Sequence, residues 1–476
     1  MQHSQSKSIF DFYGRPSFGK ALPLSLQHIL AMIMGAVTPP LILGNYLGLS
    51  GADGALLIQV ALLFSGLSTL LQLYPVGKAG SLMPTIFGVG FAYLPTLMSV
   101  ATMGKNNEMA PNDIVGMIMG AQIIGGIAMI IVGSVIKHIR HLFPPVVAGT
   151  VVLVIGLSLY HVAINYMAGG VGSEGYGSGN NWLVAGLTLL VVLVCSQFGK
   201  GYFRLAAIII GILAGYALAY FFGMVSFEKI GDASWAMLPM PYTTFGLSFP
   251  IEAIIPMVII CIVNSVQTIG DLSATAVGGM NRELEDKEME GGLVGNGITT
   301  LIGSFFGSLP TSSFSQNVGI VAMTKVISRT VLAIAAIFMV LAGLLPKFSA
   351  IMLTIPAPVI GGATIIVFGM ITMTGIQLLV KDEMSSRNVT IAALSVALAM
   401  GVAAAPNAVA ALPDSLKSLT NPVIIAALTS FILNMILPKK SLQDEANDRA
   451  EIERQMNGDD NAQAPIQKKV TPETAS

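Results

Sequence analysis

The chain has 476 residues, of which 54% are hydrophobic and only 10% charged, with a mean hydropathy of +0.76 and a formal net charge of −1. Soluble domains carry about 25% charged residues, so this composition excludes an ordinary soluble protein and marks a polytopic chain whose main solvent is the lipid bilayer. The balance of 24 Lys and Arg against 25 Asp and Glu offers no basic surface, which removes nucleic acid as a partner.

Residues 1–21 are polar and lack the apolar core and small-residue cleavage site of a signal peptide, so they are expected to remain as a cytoplasmic tail. Fourteen apolar spans follow, near 22–44, 55–74, 82–98, 113–136, 144–164, 182–198, 203–223, 250–271, 291–306, 318–328, 329–346, 355–379, 388–405 and 420–437. Several are too short to cross about 30 Å of hydrocarbon as a straight helix. Threading the chain inside-out from a cytoplasmic N-terminus leaves Lys105, Lys229, Lys347 and Lys417 outside and the other 20 of the 24 Lys and Arg inside. That bias sets both termini in the cytoplasm, with the chain in the inner or plasma membrane of the cell. Cys195 and Cys261 lie within apolar spans and read as packing residues. Residues 438–476 are charged and rich in Ala and Gln, and are expected to be a disordered cytoplasmic tail.

Taken in order, the first span holds His28, the only histidine deep in an apolar segment, suited either to a structural hydrogen bond or to a proton role. In the third span, Gly80-Ser81-Leu82-Met83-Pro84-Thr85-Ile86-Phe87 is echoed later by Gly307-Ser308-Leu309-Pro310-Thr311-Ser312-Ser313-Phe314. In the fifth, the run from Pro145 to Gly156 is echoed from Pro358 to Gly369 at a constant offset of 213. Two echoes in the same order divide the chain into halves, 22–223 and 250–437. Seven spans per half is an odd number, so the second half must enter the membrane from the opposite side. The expected fold is an all-α polytopic membrane protein, a 7+7 inverted repeat with short strand-like breaks in the third and tenth spans.

The eighth span carries Asn264, Gln267 and Asp271 at i, i+3 and i+7, on one helical face. A carboxylate inside or at the edge of a membrane helix is costly and functional by default. Asn296 lies in the glycine-rich start of the ninth span, where interhelical packing and function both fit. In the tenth, Pro310 removes a backbone donor and Thr311, Ser312, Ser313 and Ser315 favour turns over helix interior. Extended backbone there survives only if it lines a cavity. The half-helix that follows, with Phe314, Ser315, Gln316 and Asn317 at its start, aims a positive dipole end and two amides into that cavity. This describes a site for a polar, planar molecule at the midplane.

The run Gln316-Asn317-Val318-Gly319-Ile320-Val321-Ala322-Met323-Thr324-Lys325 resembles the signature of the nucleobase-ascorbate transporters, also called nucleobase-cation symporters. That signature reads Gln, Glu or Pro, then Asn, any residue, Gly, four residues, Thr, and a basic residue or Gly. Leu26-Gln27-His28, Gly270-Asp271 and the paired breaks are similar to the family as well, so the resemblance spans 22–437. It implies a core domain of spans 1–4 and 8–11, a gate domain of spans 5–7 and 12–14, and a homodimer. Members reading Gln-Asn resemble xanthine and urate carriers, whereas uracil carriers read Glu-Asn. The implied substrate is therefore a purine nucleobase, held by Phe91, Gln267, Phe314, Ser315, Gln316 and Asn317, with Phe91 matching the aromatic that packs on the base. Asp271 and His28 would handle the coupling cation, a proton or else sodium, supported by Asn264, Asn296, Gly319 and Thr324. No cofactor or metal is implied. Two positions depart from the family: purine carriers typically have Glu where Gln267 stands and Asp where Asn296 stands. An amide keeps the hydrogen bonding but loses the charge and the titratable proton, which leaves the base and the driving ion open.

Two other transport classes stay beside this one, a uracil permease and an inorganic-anion transporter or channel on a similar inverted repeat. An anion site should present Arg, Lys or bare helix ends rather than paired amides. An enzyme is disfavoured. The sequence shows no nucleophile–base pair or metal cluster, and Gly169-Gly170-Val171-Gly172 has no phosphate-loop lysine.

Overall fold

Helices cover most of the chain because a backbone in lipid must satisfy its own polar groups, and the long apolar runs do so by winding. A computed structural model describes residues 10–139, 144–231, 233–240, 244–413 and 418–456. In order, the main elements of the first half are α1 (Phe18–Leu47), α2 (Gly51–Leu73), β1 (Phe87–Val89), α3 (Leu94–Asn106), α4 (Pro111–Ile139), α5 (Pro145–Met167), α6 (Gly179–Phe198) and α7 (Ala207–Phe221). Those of the second half are α8 (Ile251–Met280), α9 (Asp286–Phe306), β2 (Thr311–Ser313), α10 (Ser315–Thr324), α11 (Arg329–Gly343), α12 (Pro346–Leu353), α13 (Ala357–Leu379), α14 (Ser386–Ala404) and α15 (Pro422–Ile436). Among the described residues, eight helices (α1, α2, α4, α5, α6, α8, α13 and α14) are long and apolar enough to cross a membrane alone, or nine with the bent pair α11 and α12. The other apolar stretches are covered by shorter or less apolar helices, and by the half-helices α3 and α10, each preceded by a strand.

Three expectations change. The eighth helix does not end at Asp271; it runs on to Met280 and stops at Asn281, which takes the left-handed conformation that closes helices. Asp271 is thus interior to its helix. The span read as 329–346 breaks after Gly343, where Pro346 opens α12 at an angle of 82°. The tail read as disordered from 438 is helical over Leu442–Met456, α16, whose Glu445 accepts from the Ser386 N–H at the start of α14. Residues 1–9 and 457–476 of the two tails, with Arg140 and Lys417 of the charge count, lie outside the described residues.

The two echoes of the sequence meet in space. β1 and β2 pair antiparallel, with Phe87 opposite Ser313, Gly88 opposite Ser312 and Val89 opposite Thr311. α5 and α13 also lie against each other in opposite directions, since Gly156 faces Thr372 and Gly361 faces Met167 and Tyr166. Corresponding elements of the halves therefore run head to tail, as an inverted repeat requires. Glycine makes the helix contact close, because a Cβ on Gly361 would stand 2.3 Å from the Met167 backbone nitrogen. Gly361→Ala must push two helices apart and should cost roughly 1–3 kcal/mol, read as a lowered unfolding midpoint of the purified protein; an unchanged midpoint would refute the close contact.

The helices pack in two groups. α1 to α4 are joined to α8 to α11, chiefly through α4 on α9 and α8 and through α2 on α11. α5 to α7 are joined to α13 to α15, with α5 on α13 the most extensive pairing of all. The strand pair belongs to the first group and sits where that group faces α5 and α13.

Candidate functional site

A two-stranded ribbon has two open edges, and in a membrane each must find donors and acceptors. α2 supplies one edge: Thr69 Oγ1 lies 3.0 Å from the Phe87 nitrogen and 2.8 Å from its carbonyl oxygen, and Ser65 Oγ accepts from the Val89 N–H at 3.1 Å. α9 supplies the other: Thr300 Oγ1 accepts from the Thr311 N–H at 3.2 Å, and Thr311 donates to Asn296 Oδ1 at 2.7 Å. The pairing is tight enough that a Cβ on Gly88 would meet Ser65 Oγ at 2.6 Å and the Phe314 ring at 2.9 Å. Only a bare backbone fits there.

A cavity of about 90 Å³ opens beside the ribbon, several times the ~10–15 Å³ that one water needs. Its first wall is Gly90, Phe91 and Ala92 after β1, the stretch Ser312 to Gln316 around β2 and the start of α10, and Gln267 of α8. Its second wall comes from the other helix group: Val152 and Ile155 of α5, and Met370, Ile371 and Thr374 of α13. Gly35 of α1 completes it. Phe91 is held edge-on by Phe368, with ring centroids 5.4 Å apart and an interplanar angle of 79°. The lining offers amides, hydroxyls, an aromatic face and the first turn of α10, and contains no Lys, Arg, Asp or Glu.

The charge lies just behind this lining. Asp271 is 6% exposed, and its two oxygens accept from Ser313 Oγ at 2.5 Å and Ser315 Oγ at 2.8 Å. Both serines line the cavity. Gln267, one helical turn before Asp271, reaches the same cavity, so a carboxylate and an amide on one face of α8 serve the ribbon and the space beside it.

The structure therefore divides the residues singled out in the sequence. Phe91, Gln267, Phe314, Ser315 and Gln316 line the cavity together. Asn317 and His28 instead bond each other, with Asn317 Nδ2 at 3.2 Å from His28 Nδ1, both buried away from the cavity. Asn264 ties Tyr93 to Ser312, accepting from the phenol at 2.9 Å and donating to the serine at 2.7 Å. Asn296 holds Thr311, Thr324 bonds back to the Ile320 carbonyl at 2.8 Å, and Gly319 is exposed with open space where a side chain would stand. Lys325, the last signature position, caps the end of α8 by donating to the Gly278 carbonyl and to Asn281 Oδ1, as cations do at helix C-termini.

Ser312 and Ser313 were read from the sequence only as interrupting the tenth span, and Gly35 and the α5 and α13 residues were not singled out there. The signal for the last group was present: Val152 falls inside the echo that pairs α5 with α13. An apolar residue facing a cavity and one facing lipid look alike in sequence, so only packing tells them apart.

Comparison with known proteins bears on the same region. A sequence model described as "Permease family" matches residues 19–408. The uric acid permease PucK of Bacillus subtilis is 36% identical over 420 residues, 88% of this chain and 95% of that protein. The xanthine permease XanQ of Escherichia coli is 33% identical over 448 residues, 92% of this chain and 95% of that one. Among solved structures, the transmembrane domain of a cyanobacterium bicarbonate transporter, BicA, superposes with a TM-score of 0.56 at 15% identity, covering 87% of this chain and 96% of that domain. The murine solute carrier 26 family member A9 anion transporter in its inward-facing state gives 0.54 at 10% identity, covering 87% and 68%. At such identities these two share the fold alone.

Proposed function

The chain belongs to the nucleobase-ascorbate permease family, and from that premise we propose that it imports a purine nucleobase such as xanthine or urate across the cell membrane by cation-coupled secondary transport. One observation carries the reading. Gln267, Ser313, Ser315 and Gln316 bring donors and acceptors to a single cavity beside the Phe91 ring, and two of those four are bonded to Asp271. A planar heterocycle with alternating N–H and C=O groups suits such a lining, with the aromatic face covering the ring.

The division of labour follows from the packing. The group α1–α4 with α8–α11, the core, carries the ribbon, Asp271 and most of the polar lining. The group α5–α7 with α13–α15, the gate, brings a mainly apolar wall against which the core would move, so that the cavity opens to each side in turn. Asp271 is the coupling group: occupation of the carboxylate by a cation changes what Ser313 and Ser315 can offer the base. Both termini are cytoplasmic in this arrangement.

Radiolabelled xanthine uptake, competed by urate, guanine, hypoxanthine and uracil with and without a protonophore, tests the whole reading. The expected result is competition by oxidised purines and not by uracil, with accumulation lost when the proton gradient collapses. Accumulation that survives the protonophore but not sodium replacement would reassign the ion and keep the substrate. Uptake of bicarbonate or chloride in place of any base would overturn the reading in favour of an anion carrier.

A further inference from the structure

In its last third, α1 carries two adjacent prolines, Pro39 and Pro40, with helical backbone continuing on either side. A proline in a helix brings no N–H and crowds the carbonyl four residues earlier. The two carbonyls deprived of their ordinary donors are those of Gly35 and Ala36, and these differ in surroundings. Ala36 is fully buried. Gly35 is half-buried, lines the cavity beside the ribbon, and also lines a second, apolar cavity of about 20 Å³ between α1, α7 and α13. Gln316 and Phe91 share both cavities with it. The absence of a side chain at 35 is also explained there, since a Cβ would stand 3.3 Å from the Phe314 ring.

We propose that the Gly35 carbonyl, released from helix bonding by Pro39, is a substrate-binding acceptor that takes a ring N–H of the base beside Gln316. The proposal rests on the purine reading above and adds a specificity element to it. An amide side chain can rotate to present either donor or acceptor, so Gln316 alone discriminates poorly between an N–H and a bare ring nitrogen. A backbone carbonyl fixed in a helix cannot rotate, and it accepts only. Paired with Gln316, it makes one edge of the site demand a donor at a set position. Replacement of that N–H by N–CH₃ would both remove the bond and place a methyl group against the carbonyl, which a desolvated acceptor resists.

The test is a matrix of two variants against a ligand series. Pro39→Ala returns an N–H that can bond the Gly35 carbonyl within the helix, whereas Pro40→Ala does the same for Ala36, away from the cavity. Binding of xanthine and of 1-, 3-, 7- and 9-methylxanthine is measured on purified parent and variants. In Pro39→Ala, xanthine should weaken roughly tenfold, as expected for one lost hydrogen bond. One methylxanthine, the analogue whose methyl blocks that N–H, should be unchanged, so its ratio to xanthine contracts by the same factor. Pro40→Ala should leave every ratio at the parental value. Unchanged ratios in Pro39→Ala overturn the proposal, as does an equal change in all ratios in both variants, which would trace to straightening of α1. A parent that binds no xanthine would strike the purine reading itself, a different outcome from parental binding with invariant ratios.

Discussion

Asp271→Asn should still bind purine yet lose concentrative uptake, with the internal-to-external ratio at steady state falling to about one while exchange down a gradient persists. Asn is nearly isosteric with Asp and can accept from one of the two hydroxyls that Asp271 now holds. The other, Ser313 or Ser315, can turn to accept from the new NH₂. The ribbon should therefore keep its shape, and the cavity its lining. What disappears is the one carboxylate on the polar face of α8, a group that the membrane otherwise makes expensive to keep. Steady-state accumulation in energised cells, together with counterflow in proteoliposomes, separates binding from coupling. Parental accumulation in Asp271→Asn would remove Asp271 from the coupling role. His28 is a poor replacement, because it is buried against Asn317 and neither residue lines the cavity.

The second large effect is expected at Gln316. This side chain stands in the first turn of α10, is half-buried, and lines both cavities together with Phe91. It makes no contact on which the helix depends, as the start of α10 is closed by backbone bonds from Asn317 and Val318 to the Phe314 carbonyl. Gln316→Ala should accordingly insert into the membrane normally. It should lose roughly 1–3 kcal/mol of purine binding, about tenfold to over a hundredfold in affinity, for two hydrogen bonds that water replaces imperfectly. Competition constants for xanthine and urate, normalised to protein in the membrane, provide the measurement. Constants equal to the parent's for every purine would place the substrate elsewhere.

A contrast between the two amides that depart from the family pattern sharpens the site. Gln267 lines the cavity, whereas Asn296 sits behind the ribbon and accepts from Thr311. The substitution at 267 thus bears on what the base meets directly. That at 296 bears on how β2 is held, since Thr311 also lies opposite Val89 in the strand pairing.

The sequence by itself determined the class of solvent, the approximate spans and the two breaks, because each depends on local chemistry. Apolar length sets a membrane helix, Pro310 and its serine neighbours interrupt one, and repetition of the Gly80 and Pro145 runs points to two related halves. The family resemblance, and not local chemistry, is what groups Phe91 with Gln267 and Gln316, and the three line one cavity. Tertiary structure decided the rest. That Asp271 answers to Ser313 and Ser315, that His28 is spent on Asn317, that Asn264 binds Tyr93, and that Met370 and Thr374 close the cavity are all matters of which surfaces meet across long stretches of chain. Hydrogen-bond partners of a buried polar group are chosen by proximity in space and not by spacing along the chain, so the same residue reads alike from sequence whether it faces a ligand or another helix.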